Sequence, residues 1–221
     1  MAARPRLDEP TNFLYPFIDA NEHDPAALLT DLAASASSKA AESAELRRST
    51  LQACSALVET AAAEMAARFA AGGRLFTFGN GGSSTDAATL AALFASPPAG
   101  EALPAWSLTA DQAVLTALGN DVGFDLVFAR QLIARAQPTD IAVAMSTSGN
   151  SADLLLAMRE AHGRGLYTIG FTGYDGGAFA TNPDVDVCFV VRSQSVHRIQ
   201  EAQALLGHRL WSAVHAQKGS R

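Results

Sequence analysis

The sequence predicts an α/β fold in which a parallel sheet lies between layers of helices. Three observations predict it. Five short apolar runs alternate with segments of helical spacing over residues 74–216, and strands joined through helices pair in parallel. Two of those runs lead straight into turns rich in glycine and hydroxyl side chains, at residues 79–84 and 146–151, which are the strand ends where such sheets hold ligands. A chain of 221 residues, 48% of them hydrophobic, can also bury a sizeable core in one domain and carry an added helical segment.

Taken in order, residues 1–12 are Pro-rich and charged and read as a loose tail. Phe13-Leu14-Tyr15-Pro16-Phe17-Ile18 is a compact apolar patch, suited to docking on the body or on a neighbouring subunit. Asp24-Pro25 reads as N-cap and first helical position. One helix is expected over 26–41, with Leu28, Leu29 and Leu32 on one side. A longer one is expected over 44–71, where Leu46, Leu51, Cys54, Leu57, Val58, Ala61, Met65 and Phe69 recur at helical spacing. Gly72-Gly73 stops it. The expected division is therefore a tail and helix over 1–43 and a main domain over 44–217.

Strands are expected over 74–78, 105–108, 140–145, 166–171 and 185–191, and helices over 85–95, 112–118, 123–136, 152–161 and 195–216. Gly119-Asn120-Asp121 splits the second and third of these helices, and Gly163-Arg164-Gly165 ends the fourth.

Composition excludes several classes. The net charge is −6, so no large basic face is available for nucleic acid. No apolar run approaches the ~20 residues that span a membrane. The first residues lack an apolar stretch of the signal-peptide kind. Cys54 and Cys188 form no Cys-x-x-Cys pair and read as buried reduced thiols. A cytoplasmic protein is expected.

Ser146-Thr147-Ser148-Gly149-Asn150-Ser151 has the design of an anion holder. Backbone N–H groups at a helix start lack internal partners and point outward, and the helix dipole favours negative charge there. Three Ser and one Thr add donors. No Gly-Lys-Ser/Thr follows, so it is not a Walker A loop. A phosphate group is the expected ligand, and an ordinary serine N-cap is the plain alternative. Gly79-Asn80-Gly81-Gly82-Ser83-Ser84 repeats the logic, its glycines admitting backbone amides close to an oxygen-rich ligand. Asn120-Asp121 either faces the same cleft or merely ends one helix and caps the next. Gln200 and His208 lie eight residues apart on the last helix, roughly 80° beyond two full turns, so they can border one cleft. His208 could act as acid or base. His23, His162, His197 and His215 show no metal-binding spacing.

In this order, Gly79-Asn80-Gly81-Gly82-Ser83, Gly119-Asn120-Asp121, Ser146 to Ser151, Thr172-Gly173, Asp175-Gly176-Gly177 and Arg198-Ile199-Gln200-Glu201 resemble the sugar isomerase (SIS) fold. More narrowly they resemble the phosphoheptose isomerases and their relatives, the DnaA-initiator-associating proteins. The likeness covers residues 44–216. It implies a five-stranded parallel sheet in a flavodoxin-like three-layer sandwich, a homotetramer with sites shared between subunits, and a phosphorylated sugar as ligand. It places Ser146, Thr147, Ser148 and Ser151 on the phosphate, and Asn80, Gly81, Gly82, Ser83, Asn120, Asp121 and Gln200 around the sugar.

The isomerases of that family convert sedoheptulose 7-phosphate into D-glycero-D-manno-heptose 7-phosphate through an enediol. A carboxylate takes the proton, a histidine assists, and zinc sits on a His and a Glu from the first turn's helix and on a Gln and a His from the last helix. This chain departs from that pattern. The family His is Thr89 and the Glu that is both ligand and base is Leu93, while Gln200 and His208 match the other two ligands. One His and one neutral amide are too few for zinc, so no cofactor is expected. Leucine cannot take a proton. Asp86 and Glu201 are nearby carboxylates, but Asp86 matches a family position that is not the base.

The reading that follows is a phosphosugar-binding pocket whose catalysis is lost or weak. One alternative is an active aldose–ketose isomerase using His208 and a base not recognised in the sequence. Another is a regulatory tetramer with a vestigial pocket and a protein partner. Tyr174-Asp175-Gly176-Gly177 resembles the initiator-associating relatives.

Overall fold

The computed structural model describes residues 25–219. The tail, the 13–18 patch and the Asp24 cap lie outside the described residues. The chain divides into two compact units, Met1–Ala44 and Glu45–Arg221.

Helix α1 runs without a break from Pro25 to Ala70, 46 residues. The expected interruption between 41 and 44 is absent. No Gly or Pro occurs between Ala26 and Ala71, and the serines that might have competed with the helix bond within it. Ser38 Oγ donates to Glu42 Oε1 at 3.1 Å and Ser49 Oγ to Glu45 O at 3.0 Å. In the first unit, Leu29 and Leu32 are exposed. In the second, α1 buries Cys54, Val58, Ala61, Ala62, Met65, Ala66 and Phe69.

The second unit continues with β1 (Leu75–Gly79), α2 (Gly82–Ala95), β2 (Ala105–Ser107), α3 (Gln112–Asp121), a 3-10 turn (Phe124–Leu126), α4 (Val127–Arg135), β3 (Ile141–Met145), α5 (Ala152–Gly163), β4 (Tyr167–Gly173), a second 3-10 turn (Gly177–Thr181), β5 (Val187–Val191) and α6 (Val196–Gly219). All five strands are parallel, in the order β2-β1-β3-β4-β5. This is the expected five-stranded sheet flanked by helices.

Strand residues alternate between two cores, as the pleat requires. Leu75, Ile141, Val143, Met145, Ile169, Phe171 and Phe189 join α1, α2 and α6. Phe76, Phe78, Ala142 and Ala144 join α4 and α5 on the other face. With both faces covered, β1, β3 and β4 are buried at every position, which is why their sequences are mainly apolar, interrupted only by the buried Thr77, Thr168 and Thr172.

Several boundaries move by a few residues, each for a local reason. Arg74 N donates to Asp140 Oδ1 at 2.8 Å, a side-chain bond in place of a ladder bond, so β1 begins at Leu75. Asp186 N bonds Thr168 Oγ1 at 3.0 Å, and β5 begins at Val187, not at 185. The helix expected over 123–136 is a 3-10 turn followed by α4. Asn120 and Asp121 are not a break between helices but the last turn of α3, whose C-cap is Val122. No helix among the described residues is long and apolar enough to cross a membrane.

Candidate functional site

The strand order reverses between β1 and β3, and ligands of such sheets bind at that point, outside the carboxyl ends. Both turns singled out in the sequence emerge there, one from β1 and one from β3, whose last residues Gly79 and Met145 are paired.

In the first turn Gly81 has φ +53° and caps α2 without a side-chain bond. Helix α2 starts at Gly82, three residues earlier than the sequence suggests, so the turn's own serines form its first helical turn. Ser83 is buried, and Ser84 Oγ donates back to Gly81 O at 2.7 Å. Half-buried Asn80 faces an open pocket of about 450 Å³ lined by Gly79, Asn80, Gly81, Ser84, Thr85, Ala88, Thr109, Gln112, Leu115, Phe124, Val127 and Phe128. No acidic side chain is among them.

The second turn is held from below. Ser146 is buried, and its Oγ accepts from Gly149 N at 2.9 Å. Ser146 O accepts from Gln203 Nε2 at 2.7 Å. Gly149 has φ +67°, and a Cβ there would lie 2.5 Å from Gly176 O, so only glycine fits. Ser151 occupies the N-cap position of α5 but makes no side-chain capping bond. The plain capping role is thus not used, and the Ser151 hydroxyl and the half-buried Thr147 and Ser148 stand at the turn's surface.

Along α2 the site continues into a second open pocket of about 500 Å³ lined by Gly82, Thr85, Asp86, His197, Gln200, Glu201 and Ala204. Gln200 Nε2 donates to Asp86 Oδ2 at 3.1 Å. Gln200 lies so close to the first turn that a Cβ on Gly82 would be 2.5 Å from its Nε2. Burial pushes the Asp86 carboxyl above its usual range, and the Gln200 amide partly opposes that.

A third, small pocket of about 50 Å³ is lined by Asp86, Thr89, Leu90, Leu93, Met145, Gln203, Ala204, Gly207 and His208. The structure therefore brings Thr89, Leu93 and His208 together. They do not make a zinc site. Thr89 Oγ1 donates into its own helix, to Thr85 O at 2.9 Å. Leu93 packs against the core, and the Gln200 amide is taken up by Asp86. Among the described residues no three His, Cys, Asp or Glu side chains are grouped to hold a metal. His208 is exposed, its ring 5.2 Å from that of Trp211.

Asn120 and Asp121 are exposed, bonded to one another at 2.6 Å, and line none of these pockets. Two polar side chains escaped the sequence reading. Asp153, 3% exposed, accepts from Asn80 Nδ2 at 3.0 and 2.9 Å. Burial raises its carboxyl above the usual range, against the lowering effect of Asn80 and of the Leu154 and Asp153 backbone, while nearby Asp125 raises it further. Gln203 is fully buried, and its Oε1 has no hydrogen-bond partner among the described residues. In sequence both are ordinary helix residues. The only available signal was that Asp153 follows a serine-rich turn by two positions.

The SIS domain family matches residues 40–173. The chain belongs to the SIS-domain family. Among its relatives is the phosphoheptose isomerase of Solidesulfovibrio magneticus, 45% identical over 164 residues, which are 72% of this chain and 77% of that protein. That of a Roseiflexus species is 40% identical over 168 residues, 75% of this chain and 84% of its own. Among solved structures, the Neisseria gonorrhoeae phosphoheptose isomerase superposes with a TM-score of 0.77 at 35% identity, covering 84% of this SIS protein and 99% of that chain. The Francisella tularensis phosphoheptose isomerase gives 0.77 at 31% identity, covering 82% and 97%. The family assignment and the sheet architecture expected from the motifs are thereby confirmed. The matched SIS region ends at Gly173, before Gln200 and His208 on α6.

Proposed function

We propose that this SIS-domain protein binds a phosphorylated sugar of the sedoheptulose 7-phosphate type, and that isomerisation by a zinc-and-carboxylate route is absent or very weak. The observation that carries the binding half is the pair of glycine- and hydroxyl-rich turns placed side by side at the ends of β1 and β3. In this reading Thr147, Ser148 and Ser151 hold the phosphate at the start of α5, with Ser146 supporting the turn from inside. Asn80, Gly81, Gly82 and Gln200 line the sugar, the buried Ser83 supports the first turn from inside, and Asn120 and Asp121 drop out of the set one chain provides. The relatives named phosphoheptose isomerases support the choice of ligand.

The catalytic half rests on Leu93. An aldose–ketose exchange needs a base to move a proton between neighbouring carbons, and a positioned base typically contributes 10²–10⁴-fold. Leu93 cannot take that proton, and the residues around it do not fit zinc. A second reading is favoured by one observation: Asp86 shares the small pocket with His208, so an acid–base pair is at hand for a surviving isomerase. A cytoplasmic homotetramer with a protein partner belongs to the same proposal, and Leu29 and Leu32, exposed on α1, are apolar surface open to such a contact.

Thermal melting with sedoheptulose 7-phosphate tests the binding half. Ligand at ~100 times its dissociation constant adds about 2.7 kcal/mol of stability. An unchanged melting curve at millimolar ligand would instead make the pocket vestigial.

A further inference from the structure

Asp153 has no place in the binding scheme above, yet it is the most buried carboxylate next to the pocket. It lies in the first turn of α5, and its partner across 73 residues of sequence is Asn80. Asn80 Nδ2 reaches both carboxylate oxygens, at 3.0 and 2.9 Å. A carboxylate only accepts hydrogen bonds, whereas an amide has a donor side and an acceptor side that can exchange by a flip. Asp153 therefore admits only the NH₂ side of Asn80. The amide carbonyl Oδ1 is left turned away from Asp153, without a hydrogen bond among the described residues, on a side chain that lines the pocket.

We propose that Asp153 is a positioning residue that locks the Asn80 amide with its carbonyl oxygen presented to the ligand, so that the first turn selects a hydroxyl donor and refuses an anionic or carbonyl oxygen. The inference rests on the phosphosugar reading and deepens it. The two turns look alike in sequence, but only the second suits the phosphate. The first presents an acceptor, Asn80 Oδ1, where the second presents hydroxyl donors, so the first suits the hydroxyl-bearing carbon chain. A carboxylate is a costly group to bury, and a neutral Asn would satisfy the same contact in either amide orientation. What the carboxylate adds is the choice of orientation.

The test compares the intact protein with Asp153→Asn, using sedoheptulose 7-phosphate and inorganic phosphate as separate probes in calorimetric titrations. The expected result is that the variant's affinity for the sugar phosphate falls about tenfold relative to its affinity for inorganic phosphate, since one oriented hydrogen bond is lost, while inorganic phosphate binding does not weaken, because the change takes a negative charge out of the first turn of α5. Melting at neutral pH should be equal or higher, because a buried charge is removed. A purely structural role would lower melting and weaken both probes together, and that outcome overturns the proposal, as does unchanged sugar-phosphate affinity. A ligand-free readout keeps the two readings apart. The Asn80 side-chain amide resonances, assigned by their loss in Asn80→Ala, should shift and broaden in Asp153→Asn as the amide begins to flip. If the wild-type protein binds no sugar phosphate, the functional reading fails, and unmoved Asn80 resonances would then sink the positioning role on their own.

Discussion

At the scale of single residues, the chemistry turns on two positions of α2. Thr89 and Leu93 lie one helical turn apart, so both side chains reach the pocket that His208 borders. Hydrocarbon at 93 removes a proton acceptor, and the Thr89 hydroxyl is occupied by its own helix backbone. If these two residues are what separates the pocket from a metal site, the double change Thr89→His/Leu93→Glu should create one. Titration with zinc is expected to show one tight site per chain in the variant and none in the wild type, because four ligands of the right types would then converge. Equal zinc binding by both proteins would mean that the wild-type ligands lie elsewhere. Asp153 shows how far such residues can be from legible. Its contact with Asn80 joins the segments that follow the neighbouring strands β3 and β1, and no local pattern announces it. The two turns were legible because glycines and hydroxyls cluster within six positions of chain. Asn120 and Asp121 stand out in the sequence as lying between two helices, and the structure instead continues α3 through them.

At the scale of elements, the strands were readable because burial on both faces makes them short apolar runs with no polar alternation. Their ends were less so, since side chains supply bonds that the ladder would otherwise make, as Asp140 does for Arg74 N and Thr168 for Asp186 N. The sequence reading divided α1 between 41 and 44, but no breaker is present there and the serines on either side bond within the helix. Helix α2 carries the most consequence of any element, since it contributes the first turn, Asp86, and the 89 and 93 positions. It is anchored by Phe94, fully buried and stacked on Phe69 with ring centroids 5.8 Å apart. Phe94→Ala should therefore cost about 3–5 kcal/mol in denaturant unfolding. A loss within about 0.5 kcal/mol, the range of surface changes, would show that α2 is held mainly by its other contacts.

At the scale of the second unit, the architecture separates what the proposed binding would need from what isomerisation would need. The proposed binding rests on backbone turns at the switch point between β1 and β3, whose paired ends fix where the turns start. Proton transfer depends on a few side chains of α2 and α6, which can change without disturbing the turns. The buried Gln203 links the two systems, donating its amide to Ser146 O and lining the pocket of His208. The measurement that addresses this separation most directly is hydrogen exchange on the ligand itself. Sedoheptulose 7-phosphate is incubated with the protein in D₂O, with and without zinc, and deuterium at C1 is followed by NMR beside a His208→Ala control. The account expects the phosphate resonance to shift on binding while deuterium incorporation stays at the level of the control. Exchange clearly above that control would show that an enediol forms, and would contradict the claim that Leu93 has removed the base.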